Sequence, residues 1–306
     1  MLKKVFILMV SIIIVIFALN FFNKPAVQVN TPKIAHKSQS TEVQTEKKAE
    51  EHVEEESSKI HEPTNKEESS IQTKFQKEKW LKEEENEAAD IHIVGIGDSL
   101  TQGVGDMNKE GYIGIIKEKI ANESNVTVAL HNYAKRGQRS DQLLKRLNKN
   151  EFNEDLRNAD FIFLTIGGND IMRVFKNNFF NLNVALFEKE SIDFQNNLGE
   201  ILTRMRSENP TAPIYMIGIF NPYLNYFSDI VEIDEVVRIW NESIKKVTVS
   251  FPEVHFVPID SIFEEGEEPL LHDDFFHPNR HGYELIADKL IAQMKVEGDF
   301  VSKKVE

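Results

Sequence analysis

The sequence predicts an α/β domain with a central, mostly parallel sheet of five strands. Between Ile91 and about Met294, short β-branched runs alternate with longer amphipathic stretches, as in chains where helices connect parallel strands. The short runs are too continuously apolar for a sheet with one face in water, so both faces are expected to be covered by helices. The roughly 200 residues involved suit one domain of this class.

The five predicted strands are apolar runs bounded by polar or turn-forming residues. They are Ile91–Gly97, Val126–Asn132, Asp160–Ile166, Pro213–Ile219 and Val254–Ile259. Amphipathic helical patterns lie between and after them. These are Tyr112–Ala121, Ser140–Leu147, Ile192–Ser207, Ile233–Val249 and Arg280–Met294. Functional sites in such sheets collect at the carboxyl ends of the strands, which is where reactive residues should be sought.

The residues before this domain fall into two segments of different composition. Val5–Phe22 is almost wholly apolar and follows two lysines, and its length is close to that of a bilayer span. A cleaved signal peptide is the alternative, but Leu19–Asn23, at the end of the apolar run, contains no A-x-A-like cleavage site. We therefore expect residues 1–24 to be a single-pass membrane anchor with the rest of the chain outside the cytoplasm, or, alternatively, a signal removed on secretion.

Residues 25–89 are rich in Glu, Lys, Ser, Thr and Gln, and Phe75 and Trp80 are their only aromatic residues. Such a segment cannot bury enough apolar surface to offset its ordering entropy. We expect it to be a disordered, charged tether. The α/β domain would then occupy residues 90–298, and residues 299–306 would form a tail.

Composition excludes several classes of function. The 306 residues include 36 Lys plus Arg and 50 Asp plus Glu, a formal charge of −14 that disfavours nucleic acid as a partner. Cysteine is absent, so the chain has no disulfide, zinc-thiolate site or cysteine nucleophile.

Four polar clusters follow predicted strands or the last strand's loop. They are Gly97-Asp98-Ser99, Asn132 to Ser140 around Gly137, Gly167-Gly168-Asn169-Asp170, and Asp273-Asp274-Phe275-Phe276-His277-Pro278. Each has a plain structural explanation when taken alone. Ser99 or Asp98 could cap a helix, and the glycines and Asn169 could be turn residues.

Asp274 and His277 carry more information, because a three-residue spacing on one helical turn brings a carboxylate beside an imidazole. A carboxylate on one ring nitrogen fixes the tautomer and leaves the other nitrogen free to take a proton from a serine. Asp273 is an alternate orienting group and His272 an alternate base, although neither has an equally good spacing.

Taken together and in this order, the four clusters resemble the sequence blocks of the GDSL family of esterases and lipases, also called SGNH hydrolases. The Ser, Gly, Asn and His of those blocks fall on Ser99, Gly137, Asn169 and His277. The resemblance covers the domain from about Ile91 to Met294 and does not extend to the N-terminal segments. Thr101 stands where the GxSxG motif of α/β-hydrolases has its second glycine, so that motif is not matched.

The resemblance implies a flavodoxin-like, three-layer α/β/α fold and a serine esterase that needs no cofactor or metal. In this reading Ser99 is the nucleophile, His277 the base and Asp274 its orienting group. The oxyanion hole would comprise the N–H groups of Ser99 and Gly137 and the amide of Asn169. The substrate would be an ester, either a lipid or an O-acyl group outside the cytoplasm.

Two alternatives remain open at this point. Asp90, His92, Asp98 and the Asn169-Asp170 pair are residue types that bind hard metal ions, which would suit a metal-dependent phosphoesterase. The other alternative is a domain without catalytic activity that binds a partner or polymer outside the membrane, since a motif does not guarantee turnover. The apolar stretch Arg173–Glu188 could form an apolar lid or an acyl pocket, but packing of an amphipathic insertion against the core is the favoured interpretation.

Overall fold

The computed structural model describes residues 88–178, 180, 183–224, 230–264 and 269–300. Its sheet has five strands in the order β2-β1-β3-β4-β5, and each neighbouring pair is parallel. The strands are β1 (Ile91–Gly97), β2 (Val128–Asn132), β3 (Phe161–Thr165), β4 (Ile214–Ile217) and β5 (Val254–Val257). The predicted α/β class with a central five-stranded sheet is confirmed.

Helices connect successive strands and cover both faces of the sheet, giving the predicted three-layer α/β/α architecture. In chain order they are α1 (Ser99–Gln102), α2 (Gly111–Ser124), α3 (Ser140–Leu147), α4 (Asn153–Asn158), α5 (Gly168–Asn177), α6 (Val184–Glu208), α7 (Val231–Thr248), α8 (Asp260–Glu264) and α9 (Arg280–Glu297).

The hydrophobic core consists of two clusters, one on each side of the sheet. Successive residues of a strand point to opposite faces, so Ile93 of β1 packs with α2 and α9 while Val94 packs with α3, α6 and α7. Trp240 of α7 is fully buried and stacks on Phe194 of α6. Burial on both faces of the sheet explains why the strand sequences are continuous apolar runs.

Several predicted boundaries differ from the observed ones. Four of the five strands are shorter than predicted, because buried apolar residues such as Ile166 and Ile259 continue past the last ladder hydrogen bond. The stretch Arg173–Glu188 contains the end of α5 and the start of α6. Its Phe187 packs in the core against Trp240, in agreement with the favoured packing interpretation.

The predicted anchor at residues 1–24 and nearly all of the predicted tether at residues 25–89 lie outside the described residues. The domain boundaries at 90, 298 and 299 therefore stay predictions. Among the residues that the structure describes, no helix combines the length and the apolarity that a membrane span needs.

Candidate active site

The turn between β1 and α1 places Ser99 at the carboxyl edge of the sheet. Gly97 ends the strand with φ at 136°, a value that side chains rarely tolerate. A Cβ at this position would lie 2.0 Å from the carbonyl oxygen of Thr165 on β3. The close pairing of β1 with β3 therefore requires glycine two residues before the serine.

Asp98, and not Ser99, caps the helix that follows. The Asp98 Oδ1 atom accepts hydrogen bonds from the Leu100 N–H at 3.1 Å and from the Thr165 hydroxyl at 2.9 Å. Burial raises the pKa of the Asp98 carboxyl, and these hydrogen bonds oppose that effect. Because Asp98 satisfies the cap, the Ser99 hydroxyl is available for another partner.

The Ser99 hydroxyl meets the ring of His277, which comes from the loop before α9. Ser99 Oγ lies 2.9 Å from His277 Nε2, and His277 Nδ1 lies 2.6 Å from Asp274 Oδ2. An ionised carboxylate only accepts hydrogen bonds, so Nδ1 carries the proton and Nε2 accepts from the serine in the neutral ring. This is the tautomer that a general base acting on Ser99 needs.

Asp274 and His277 are joined by a tight turn and not by a helical turn, which corrects the geometry expected from their spacing. Phe275 between them has φ at 54°, and Asp274 Oδ1 accepts from the N–H groups of Phe276 and His277. Partial burial of Asp274 opposes its ionisation. The bonds from the His277 ring and from the two N–H groups outweigh this and hold the pKa of Asp274 at about 2.

The two alternate residues occupy different positions. Asp273 is exposed, and Asp274 is the carboxylate that contacts the His277 ring. The His272 N–H donates to the His277 carbonyl oxygen at 2.8 Å, so His272 supports the loop through its backbone. The structure thus brings Ser99 together with His277 and Asp274, and with neither alternate.

Gly137 lies in the loop before α3 and Asn169 in the first turn of α5, at the same edge of the sheet. The Asn169 Nδ2 group donates to the carbonyl oxygen of Gln138, the residue after Gly137, at 3.1 Å. Gly137 has φ at 78°, and an added Cβ would meet no described atom within 4 Å. Glycine adds no side chain of its own beside this N–H, and the Asn169 amide has a second hydrogen that it can donate to a ligand.

A pocket opens beside Ser99, with mostly apolar walls contributed by the ends of β3 and β4 and by the loop before α9. Its lining comprises Asp98, Ser99, Leu100, Thr165, Ile166, Gly168, Asn169, Ile217, Gly218, Ile219, Phe220, Pro222, Phe276, His277 and Pro278. A carbonyl group near Ser99 could therefore bind with its apolar substituent in the pocket.

Two groups of supporting residues were not identified from the sequence. Thr165 bonds both Asp98 and the Thr101 hydroxyl, and Arg146 donates to the side chain of Gln138 and to the carbonyl oxygen of Tyr133. A threonine at the end of a buried strand is a weak signal, and an arginine in a helix usually faces solvent. Their roles depend on contacts between distant parts of the chain.

The residues suggested for a metal-dependent phosphoesterase do not converge, because Asp90 and His92 lie far from Asp98. Asp90 and His92 lie at the amino end of β1, where Asp90 bonds Thr127 and the His92 N–H donates to Asp160. Asp98 lies at the other end of this seven-residue strand, roughly 20 Å away at the usual rise of a β-strand. Within the described ranges, no group of three or more His, Asp or Glu side chains is arranged to hold a metal ion.

Known proteins share this fold and sequence pattern. Residues 96–285 match the sequence model of the GDSL-like Lipase/Acylhydrolase family. The uncharacterized protein YpmR of Bacillus subtilis is 35% identical over 211 residues, which are 68% of this chain and 83% of that protein. The spore germination lipase LipC of Bacillus licheniformis is 29% identical over 206 residues, covering 66% of this chain and 95% of LipC.

Among solved structures, the crystal structure of a lipase from a goat rumen metagenome is similar, with a TM-score of 0.60 and 26% identity. The similarity covers 66% of this chain and 96% of that lipase. An extracellular lipase from Streptomyces rimosus has the same fold, with a TM-score of 0.53 at 16% identity. The chain therefore belongs to the GDSL-like lipase/acylhydrolase family and is a carboxylic ester hydrolase.

Proposed function

We propose that the protein hydrolyses carboxylic esters through a Ser-His-Asp triad and a covalent acyl-enzyme. Ser99 is the nucleophile, His277 the general base and Asp274 the group that orients the imidazole. The observation that carries this proposal is the direct contact of Ser99 Oγ with His277 Nε2, opposite the ring nitrogen that Asp274 holds.

In the first step, Ser99 Oγ attacks the ester carbonyl carbon while its proton moves to His277 Nε2. The tetrahedral intermediate carries a negative charge on the former carbonyl oxygen. The C–O bond to the alcohol then breaks, the imidazolium protonates the leaving oxygen, and the acyl group stays on Ser99. Asp274 stabilises the imidazolium in both half-reactions.

In the second step, His277 takes a proton from water, and the resulting hydroxide equivalent attacks the acyl-enzyme carbonyl. Collapse of this intermediate releases the carboxylic acid, and the proton returns from His277 to Ser99 Oγ. The N–H groups of Ser99 and Gly137 and the amide of Asn169 bind the oxyanion each time. Each such donor contributes about 3 kcal/mol to transition-state stabilisation.

The substrate we propose is a lipid ester or an O-acyl group outside the cytoplasm. The pocket walls, with Ile219, Phe220 and Phe276 among their apolar residues, support an apolar acyl group. The sequence of residues 1–24 supports a location outside the cytoplasm at the membrane. The similarity to a lipase of spore germination agrees with a lipid substrate.

A panel of p-nitrophenyl esters of increasing acyl length, run with acetylated sugars, tests both the activity and the substrate class. Ser99→Ala is expected to lower kcat by on the order of 10⁴-fold or more, because the covalent route is lost. Ser261→Ala is the matched control, since Ser261 is exposed on α8 and bonds Lys289.

A fluorophosphonate should label the wild-type protein and the control variant on Ser99, as identified by peptide mass spectrometry. Full esterase activity in Ser99→Ala would show that the nucleophile is assigned wrongly. A preference for long acyl chains over sugar acetates would exclude carbohydrate deacetylation as the main activity.

A further inference from the structure

Asp170 is a buried carboxylate beside the proposed oxyanion hole that the mechanism above does not use. It follows Asn169 directly, and only 2% of its surface is exposed. One carboxylate oxygen accepts from the Ser140 hydroxyl at 2.6 Å, and the other accepts from the Ser140 N–H at 3.0 Å. Both bonds cross from α5 to α3, so Asp170 binds the start of one helix to the start of another.

Ser140 stands three residues after Gly137, in the segment that carries the Gly137 peptide. A second contact joins the same two segments, from the Asn169 amide to the Gln138 carbonyl oxygen at 3.1 Å. The contacts of Asn169 and Asp170 therefore fix both ends of Gln138–Ser140. Asn197 of α6 also donates to Ser140 Oγ at 3.0 Å, which leaves the serine proton directed at Asp170.

Burial of a carboxylate is unfavourable, and burial raises the pKa of Asp170 although the bonds from Ser140 and the charge of Arg173 lower it. A contact needed only for packing could use a neutral pair at a smaller desolvation cost. Both oxygens of the Asp170 carboxylate accept from Ser140, so the carboxylate fixes the orientation of Ser140 as well as its distance.

We propose that Asp170 is a positioning residue for the oxyanion hole. Its carboxylate holds the Ser140 end of the Gly137 loop against the first turn of α5, which carries Asn169, and this sets the spacing between the Gly137 N–H and the Asn169 amide. The inference rests on the proposed serine hydrolase mechanism. It adds a residue that touches neither the substrate nor Ser99 and acts through the two donors.

The test compares Asp170→Asn, Ser140→Ala and the double variant with the wild-type full-length protein. The expected result is a kcat lowered by about 10- to 100-fold with KM changed by less than about 3-fold, because oxyanion donors act mainly in the transition state. Inhibition by a trifluoromethyl ketone, which forms a tetrahedral adduct on serine, should weaken by a similar factor. The double variant should be no worse than the more damaged single variant, because both changes alter the bond between the Ser140 hydroxyl and the Asp170 side chain.

Asn209→Ala is the matched control for losing a buried polar contact. Asn209 is also buried, but it donates to the carbonyl oxygens of Leu156 and Ala159 at the opposite end of the sheet. This variant should lower Tm and leave kcat and ketone affinity within about 2-fold of wild type, as expected for a change distant from the site.

Amide hydrogen exchange of the apo protein separates this inference from the proposed function. Asp170→Asn should increase exchange in residues 136–139 whether or not a substrate has been found, and Asn209→Ala should not. A folded Asp170→Asn variant with unchanged exchange there, or with wild-type kcat and ketone affinity, would overturn the positioning role. Absence of esterase activity in the wild-type protein would instead refute the proposed function.

Discussion

At the scale of single residues, the geometry of the site depends on a few side chains, and only some of their roles could be predicted from the sequence. The Asp274 and His277 pair could be predicted from its spacing, and Ser99, Gly137 and Asn169 from the resemblance to a family. The turn at Phe275 could not be predicted from the sequence, because its positive φ is imposed by the two N–H groups that bond Asp274. The sequence left Asp98 and Ser99 as alternative helix caps, and the bond from the Leu100 N–H to Asp98 identifies Asp98 as the cap.

The low pKa of Asp274, about 2 against a usual 3.8, makes a prediction about acid stability. A carboxyl whose pKa is lower in the folded state stabilises the fold above its unfolded pKa and loses this contribution as the pH falls towards its folded pKa. The contribution should therefore be complete above about pH 5 and decline towards pH 2.

Urea denaturation of wild type and Asp274→Asn measures that contribution. The variant should be less stable by about 2 kcal/mol near pH 6, and the difference should shrink to about half of this near pH 3. Asp273→Asn, which changes the exposed neighbour, should show no comparable pH-dependent difference. A gap between wild type and Asp274→Asn that is constant with pH would contradict the prediction.

Gly168 makes a prediction about acyl specificity. It lines the pocket as the first residue of α5, its φ is not positive, and an added Cβ would meet no described atom within 4 Å. Neither strain nor a backbone contact requires glycine here, so a side chain at this position should occupy pocket space. Gly168→Leu should lower the octanoate-to-acetate ratio of kcat/KM by about 10-fold.

Gly199→Leu is the control for Gly168→Leu. Gly199 is also helical and has open space at its Cβ position, but it lies in α6 and does not line the pocket. The acyl preference of this variant should match that of wild type. An unchanged ratio in Gly168→Leu would show that the acyl chain binds elsewhere.

At the scale of elements, the strands and long helices were predictable because burial on two faces leaves a strong apolar signal. The helix α5 was not predicted, since its Gly-Gly-Asn start is typical of a turn. The four-residue α1 and five-residue α8 are too short for a periodic pattern. Strand ends were overestimated because apolar residues remain buried where the ladder has stopped.

The contact between β1 and β3 is reinforced by a buried chain of hydroxyl groups. Tyr112, Thr101 and Thr165 are linked in that order, and Thr165 donates to Asp98. Thr165→Val would preserve shape but leave the Asp98 carboxylate and the Thr101 hydroxyl each without one partner. We expect a loss of about 2 to 4 kcal/mol in the free energy of unfolding, measured with urea.

Thr203→Val is the matched control, because the Thr203 hydroxyl is exposed and bonds only a carbonyl oxygen of its own helix. Its effect should stay within about 0.5 kcal/mol of zero. Equal effects of the two substitutions would mean that the buried chain contributes nothing particular to the fold.

At the scale of the whole molecule, the proposed location can be tested with the full-length chain. Residues 1–24 are proposed to anchor the protein, so it should sediment with membranes, resist extraction by carbonate and dissolve in detergent. Ile13→Arg combined with Ile14→Arg should weaken this association, because each charge within a span costs about 3 kcal/mol.

Protease added to intact cells should degrade the hydrolase domain of the anchored protein, while a cytoplasmic marker survives. Recovery of the domain from the medium, with an N-terminus downstream of residue 24, would favour the cleaved signal. A full-length protein found only in the cytoplasm would contradict both versions of the proposal.

The bond between Ser99 and His277 joins residues 178 positions apart in the chain. Tyr283 and Arg280 of α9, which bond Val104 and Asp106, unite the same two ends of the domain. A growing polypeptide thus carries its nucleophile long before its base has been synthesised. Esterase activity should consequently appear only after residue 277 has been synthesised and the domain has folded. A chain that ends before residue 277 should not hydrolyse esters.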